Sequence, residues 1–156
     1  MVNRVTGTVR LDDQLCFALY AATNAVTRAY RPLLARLDLT YPQYLVMMVL
    51  WQEDEVPAKR IAERLQLGPS AVTPLLGQLE RAGYLMRRAS PADKRHVLIA
   101  PTAAGIALEA AAAPAQNAVE CRTGIDDADL AALRMTLHEL IDRMRSDEKV
   151  LTAALT

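Results

Sequence analysis

No stretch of 18 uncharged apolar residues occurs in this chain, so no membrane-spanning helix is expected. The amino-terminal run MVNRVTGTVRLDDQ lacks the apolar core of a secretory signal, which leaves the cytoplasm as the expected compartment. There are only two cysteines, Cys16 and Cys121, too few for a disulfide framework, and free thiols are the default. The two histidines are far apart and have no Cys or acid at ligand spacing, so no metal site is expected. Neither a glycine-rich phosphate loop nor a Ser/His/Asp set can be found, and neither a cofactor nor an enzymatic activity is expected. Aromatics are few, and much of the apolar content is Ala and Leu, which favours helix. The net charge of zero argues against indiscriminate polyanion binding.

What the chain does have is concentrated between Val56 and Thr102. Ala58 to Leu65 sets Ile61, Ala62 and Leu65 at helical spacing, opposite Lys59, Arg60, Glu63 and Arg64. Leu67-Gly68-Pro69-Ser70 should end that helix and start the next, with Gly tolerating the turn and Pro fitting a first helical turn. A second helix, Pro69 to Ala82, puts Val72, Leu75, Leu76 and Leu79 on one stripe. Its other face carries Ser70, Thr73, Gly77, Gln78 and Arg81, small or polar residues suited to a DNA groove. Pro74 shares that face. Tyr84–Ala89 and His96–Ala100 read as strands of a hairpin whose tip is Ser90-Pro91-Ala92-Asp93-Lys94-Arg95. The spacing therefore predicts a winged helix-turn-helix, with the second helix in the major groove and Arg95 near the minor groove. Charge agrees: from Val56 to Val97, eight Lys/Arg face three acids, a net +5 in a neutral chain.

Around this module the chain reads as helix. Met1 to Arg10 is taken as a loose arm. A helix should start at Leu11-Asp12-Asp13-Gln14 and run to about Arg36, with Pro32 kinking it or opening a turn. Cys16 lies in its first turns and has two readings: a buried small hydrophobe, or a thiolate favoured by the helix N-terminus. In the second reading Leu15, Phe17, Val46 and Met47 form an apolar pocket around it. Pro42 starts a helix, Gln43–Gln52, apolar nearly all round and expected as the buried floor of the reading module. Glu53-Asp54-Glu55 reads as a solvated acidic turn. Thr102 should cap a helix from Ala103 to about Cys121, interrupted by Pro114. A last helix, Ala128 to about Lys149, carries Leu130, Leu133, Leu137, Leu140, Ile141 and Met144 at helical spacing. The first and last helices have more apolar surface than the module can cover, which suggests a dimer built from both chain ends.

The runs LDDQLCFALYAATNAVTRAYRPLL, LTYPQYLVMMVLW, AERL…VTPLLGQLERAGYLMRRASPADKRHVLI and TAAG carry a family likeness. Through them the chain resembles the MarR family of winged-helix regulators, and within it the organic hydroperoxide repressors of the OhrR type, two-cysteine branch. The resemblance implies a sensing role for Cys16, with Tyr30 and Tyr41 as hydrogen-bond donors to its thiolate from the other subunit. It implies that Cys121 of the partner chain captures the oxidised Cys16 as a disulfide. In the wing it implies that Asp93 orients Arg95, with Lys94 where the family often has Glu. On the reading helix it adds Pro74 to Ser70, Thr73 and Gln78.

The expected fold is thus mainly α with a small β-hairpin wing, dimerised through its N- and C-terminal helices. Residues 11–53 would dimerise and sense, 54–101 read DNA, and 102–156 complete the dimer. The expected function is a homodimeric repressor on a pseudo-palindromic double-stranded operator, released by organic hydroperoxides. Two alternatives stay open: a MarR-type regulator of a small aromatic ligand, and a thiol peroxidase using Cys16 and Cys121.

Overall fold

A computed structural model describes residues 10–93 and 95–154, with side chains described up to Ser146. The proposed arm before Arg10 and the side chain of Lys94 lie outside the described residues. Among the described residues, six α-helices and three short strands follow in the order α1 (Leu15–Leu34), α2 (Tyr41–Glu53), β1 (Val56–Pro57), α3 (Ala58–Leu65), α4 (Pro69–Arg81), β2 (Leu85–Ala89), β3 (Val97–Pro101), α5 (Ala103–Thr123) and α6 (Asp127–Ala154). The chain forms two compact units, one ending at Val119 and one starting at Glu120.

The first helix starts later than its sequence predicts. Leu11–Asp13 form a separate 3-10 turn, and Gln14 is extended at φ −90°, ψ 117°, so the acids sit before α1 and not in its first turn. This places Cys16 at the second residue of the helix. Pro32 opens no turn of its own: α1 continues to Leu34 and then tightens into a 3-10 turn, Ala35–Leu37. Pro114 likewise leaves α5 unbroken.

Helix α2 is the centre of the first unit. Its start is a capping box that the sequence reading missed: Thr40 N–H donates to Gln43 Oε1 at 2.8 Å, and Gln43 N–H donates to Thr40 Oγ1 at 3.4 Å. Tyr44, Val46, Met47, Val49 and Leu50 are all buried, as a helix apolar on every side requires. The scarce aromatics collect here. Tyr30, Tyr41 and Tyr44 form one tilted cluster, with Tyr30 and Tyr41 ring centres 4.9 Å apart, and Trp51 meets Tyr44 edge-on.

Helices α3 and α4 pack on that floor with Ile61, Ala62, Val72, Leu76 and Leu79 buried. The turn between them is not made by glycine. Gln66 takes the left-handed conformation at φ 55°, while Leu67 N–H reaches back to the Ala62 carbonyl; Gly68 is ordinarily extended at φ −69°. At the end of α4, Gly83 at φ 78° does take that role, with Tyr84 N–H on Leu79 O and Gly83 N–H on Glu80 O.

The wing is a three-stranded antiparallel sheet in the order β1-β3-β2, and β1 was not foreseen because two residues carry no alternation. Leu85 pairs with Pro101 and Ala89 with Val97, while Val56 pairs with Ile99. Thr102 then joins the wing to α5: its N–H donates to Tyr84 O, its hydroxyl to Gly83 O, and its Oγ1 caps Gly105 N–H. Gly105 is needed at this junction, because an added Cβ would sit 2.0 Å from the Tyr84 carbonyl oxygen. Trp51 Nε1 donates to the Gly105 carbonyl at 2.9 Å, tying α2 to the same point.

In the second unit, Asp126 Oδ1 caps α6 by accepting from Asp129 N–H at 2.9 Å. Its stripe is only partly covered: Leu130, Leu137, Leu140 and Ile141 are half-buried, and Leu133 and Met144 are exposed.

Candidate nucleic-acid interface and thiol site

The reading face of α4 follows from its spacing. Ser70, Pro74, Gln78 and Arg81 recur at intervals of three or four with Thr73 beside Pro74, and all five are exposed while Val72, Leu76 and Leu79 opposite are buried. Pro74 has no N–H for the Ser70 carbonyl, yet α4 stays helical through it. The Thr73 hydroxyl donates back to Pro69 O at 2.9 Å, which leaves its methyl and oxygen lone pairs outward. Gln78 Oε1 accepts from Gln43 Nε2 at 2.9 Å.

At the wing tip, Asp93 and Arg95 meet directly. The Arg95 guanidinium contacts both Asp93 oxygens at 3.2 and 3.1 Å, and Arg95 N–H donates to Oδ1 at 3.0 Å. These bonds, the side-chain one first, hold the Asp93 carboxyl below its usual range. The Arg95 side chain itself is 89% exposed. A short acid thus stiffens the tip and still leaves the cation facing water.

The acidic turn after α2 is not simply solvated. Glu53 accepts from Arg60 at 2.8 Å and pairs with Arg64 at 3.0 Å, and Glu55 holds Arg88 through two hydrogen bonds. Hydrogen bonding to Arg60 lowers the Glu53 carboxyl, and bonding to Arg88 lowers that of Glu55. Arg87 pairs with Glu80 at 3.0 Å. With Glu53, Asp54 and Glu55 included, the module carries +2, not the +5 of Val56–Val97 alone. Among the described Lys and Arg of that span, Arg81 is the one with no ion pair. The cation left unpaired is therefore Arg81 on the reading face of α4, and not those of α3.

The thiols lie elsewhere. Cys16 is exposed, with exposed Leu15 beside it and exposed Tyr20 one turn on. The predicted apolar pocket around it is not formed by the residues named. Val46 and Met47 are wholly buried in the core of α2, and Leu15 is 60% exposed. Tyr30 is buried and Tyr41 half-buried, and burial raises the Tyr41 phenol above its ordinary value. Tyr41 also walls an open pocket of about 410 Å³ with Thr27, Arg31, Ala35, Leu39, Thr40 and Pro42. Cys121 is exposed near the end of α5, in the second unit.

Comparison with known proteins decides the family. The MarR family model matches residues 39–97. The organic hydroperoxide resistance transcriptional regulator of Bacillus subtilis (strain 168) is 35% identical over 136 residues, 87% of this chain and 92% of that one. The chain belongs to the MarR family. The HTH-type transcriptional regulator TtmR of Methylorubrum extorquens (strain PA1) is 42% identical over 87% of this chain and 70% of its own length. Among solved structures, reduced AbfR bound to DNA superposes with a TM-score of 0.72 at 28% identity, covering 87% of this chain and 93% of that one. The disulfide form of AbfR matches with a TM-score of 0.57 at the same identity, covering 87% and 90%.

This MarR-family chain is a DNA-binding transcriptional regulator with a winged helix-turn-helix. No described helix is long and apolar enough to cross a membrane. Of the residues singled out from the sequence, the structure brings together Ser70, Thr73, Pro74 and Gln78 on one face, Asp93 with Arg95, and Tyr30 with Tyr41. It does not bring Cys16 to the tyrosines of its own chain. Tyr30 lies fourteen residues along the same helix, about 21 Å at 1.5 Å per residue. Gln43, Glu53 and Glu55 were missed; the T-x-x-Q spacing of a capping box would have revealed the first.

Proposed function

We propose that this regulator is a homodimeric repressor that holds a pseudo-palindromic operator and releases it when an organic hydroperoxide oxidises Cys16. The observation that carries the reading is the setting of Cys16, an exposed thiol at the second residue of α1, flanked by exposed Leu15 and Tyr20. An apolar surface around a thiol at a helix N-terminus suits a peroxide with an apolar tail, and tail burial contributes about 0.8 kcal/mol per CH₂. The Bacillus subtilis relative, named for organic hydroperoxide resistance, supports it, as does AbfR, which is known in reduced and disulfide forms.

The chemistry balances without a further reactant. The Cys16 thiolate attacks one peroxide oxygen, the O–O bond breaks, and the alkoxide leaves to be protonated as the alcohol. Sulfur keeps the other oxygen as a sulfenic acid. The Cys121 thiol of a second copy then attacks that sulfur, forming the S–S bond and releasing water. Because Tyr30 and Tyr41 of the same chain are out of reach, the reading assigns the donors on the thiolate to the partner's pair. A bond between copies requires Cα atoms within about 4.4–6.8 Å, and forming it would shift the helices that carry the winged modules. Two-fold operators demand reading helices about 34–36 Å apart, so such a shift lowers affinity. On DNA, Ser70, Thr73, Pro74 and Gln78 face the major groove, and Asp93 aims Arg95 at the minor groove.

Treatment with an organic hydroperoxide followed by electrophoresis without reductant tests the switch. The wild type should give a covalent dimer that dithiol reverses, with operator release in parallel. Cys121→Ser should lose Cys16 as a free thiol yet form no covalent dimer, and Tyr41→Phe should oxidise more slowly. A strictly monomeric band from fully oxidised wild type would sink the cross-subunit disulfide.

The pocket beside Tyr41 favours a second reading. Arg31 offers a cation, and Ala35, Leu39, Tyr41 and Pro42 offer apolar walls, a set suited to a small aromatic acid. Release of DNA by such a ligand from Cys16→Ser, with no effect of peroxide on the wild type, would select it.

A further inference from the structure

We propose that Gln43 decides which end of the Gln78 amide faces DNA, so that Gln78 offers its NH₂ group, a donor, to the base edges. This rests on the reading of Gln78 as a groove residue. The capping box of α2 fixes the first amide. Thr40 N–H sits 2.8 Å from Gln43 Oε1, and a backbone N–H can only donate, so the oxygen end of the Gln43 amide is fixed against it. The nitrogen end is what remains to meet Gln78, at 2.9 Å. That nitrogen can also only donate, so Gln78 must turn its oxygen inward. The Gln78 NH₂ then points away from α2 and meets no acceptor among the described residues. Gln78 is exposed and lies on the stripe of Ser70, Thr73, Pro74 and Arg81.

The consequence is a base preference. A glutamine free to turn reads adenine, accepting from N6 and donating to N7. A glutamine held with its NH₂ outward matches guanine, whose O6 and N7 both accept, and is mismatched to the exocyclic amines of adenine and cytosine. Gln43 is thus a positioning residue for sequence reading that acts through Gln78.

Gln43→Glu inverts the device while keeping the cap, since Glu serves the third position of a capping box as well as Gln does. Its carboxylate accepts from Thr40 N–H and can only accept from Gln78, which must turn its oxygen outward. Gln43→Met removes both polar ends and frees the Gln78 amide to turn. Full-length wild type, both Gln43 variants and Gln78→Ala each select from a pool of duplex oligonucleotides with a randomised central tract, and the bound fractions are sequenced. Gln78→Ala marks the base pair in question, as the one whose selectivity it abolishes. There the wild type should favour guanine over adenine. Gln43→Glu should favour adenine or cytosine and Gln43→Met adenine, each a swing of about fivefold or more, the low end for one base-edge contact. The same base chosen by the wild type and both Gln43 variants overturns the proposal, as does a Gln78→Ala protein with unchanged selection. Should the wild type enrich no sequence at all, the groove reading of α4 fails and takes the proposal with it.

Discussion

Helices α4 and α6 carry similar leucine stripes and meet different surroundings. In α4, Val72, Leu76 and Leu79 are 1–2% exposed, because α2, α3 and β2 close over them. In α6, Leu133 is 46% and Met144 is 64% exposed. The start of α1 resembles α6, with Leu15 and Tyr20 open to water. Periodicity shows that a helix has an apolar face; it does not show what covers that face. Apolar faces left open at both ends of the chain suit a covering surface, and the proposed dimer supplies one.

A matched pair of truncations separates the two helices. Leu76→Ala should cost about 2–5 kcal/mol of folding stability, the same at every protein concentration. Leu133→Ala should instead lower stability in a way that depends on protein concentration, because its cost falls on association. Denaturant unfolding at two concentrations a hundredfold apart separates the cases. A small, concentration-independent effect at Leu133 would mean that the α6 stripe simply faces water.

The junction of wing and α5 should be nearly as intolerant as the core. Gly105→Ala places a methyl against the Tyr84 carbonyl, and relieving that overlap should cost about 1–3 kcal/mol. Thermal melting checks it; an unchanged Tm would show that α5 can slide past the wing freely.

At the wing tip the expected effect moves from stability to binding. Arg95→Ala should leave Tm unchanged and weaken operator binding about tenfold, with the salt slope falling by about one. A DNA titration at several salt concentrations would show it, and unaltered affinity would remove the wing tip from the interface.

The smallest effect concerns the acid–arginine clasps. Glu53, Glu55 and Asp93 each have a carboxyl lowered in the folded state by an arginine. Their contribution is therefore present above the ordinary carboxylate range near pH 4 and lost as pH falls through the lowered values. Glu53→Gln should lower Tm slightly at pH 7, and the gap from wild type should narrow as pH falls through the lowered Glu53 value. A gap that does not change with pH would mean that packing, not charge, sets the role of Glu53.

Much of this molecule was determined by its sequence alone. The periodicity of apolar residues defined α3, α4 and α6, and a continuous apolar run behind Pro42 defined α2, each to within a few residues; the turn formers after Ala89 defined the hairpin, because these signals are local. The face bearing Ser70, Thr73, Pro74 and Gln78 followed from helical spacing, which needs no partner to be read. Pairing between distant segments came instead from how the core packs. Two-residue β1 exists because β3 offers it hydrogen bonds, and Gln66 takes the left-handed turn because the packing of α3 on α4 requires a reversal there. The acidic turn proved to be a clasp on Arg60, Arg64 and Arg88, contacts up to 33 residues apart that no periodicity encodes. Nor could composition show that the Gln43 amide meets Gln78, 35 residues further on. Side-chain hydrogen bonds between distant segments depend on where the backbone brings their ends, and that placement is set by core packing rather than by any local run of residues.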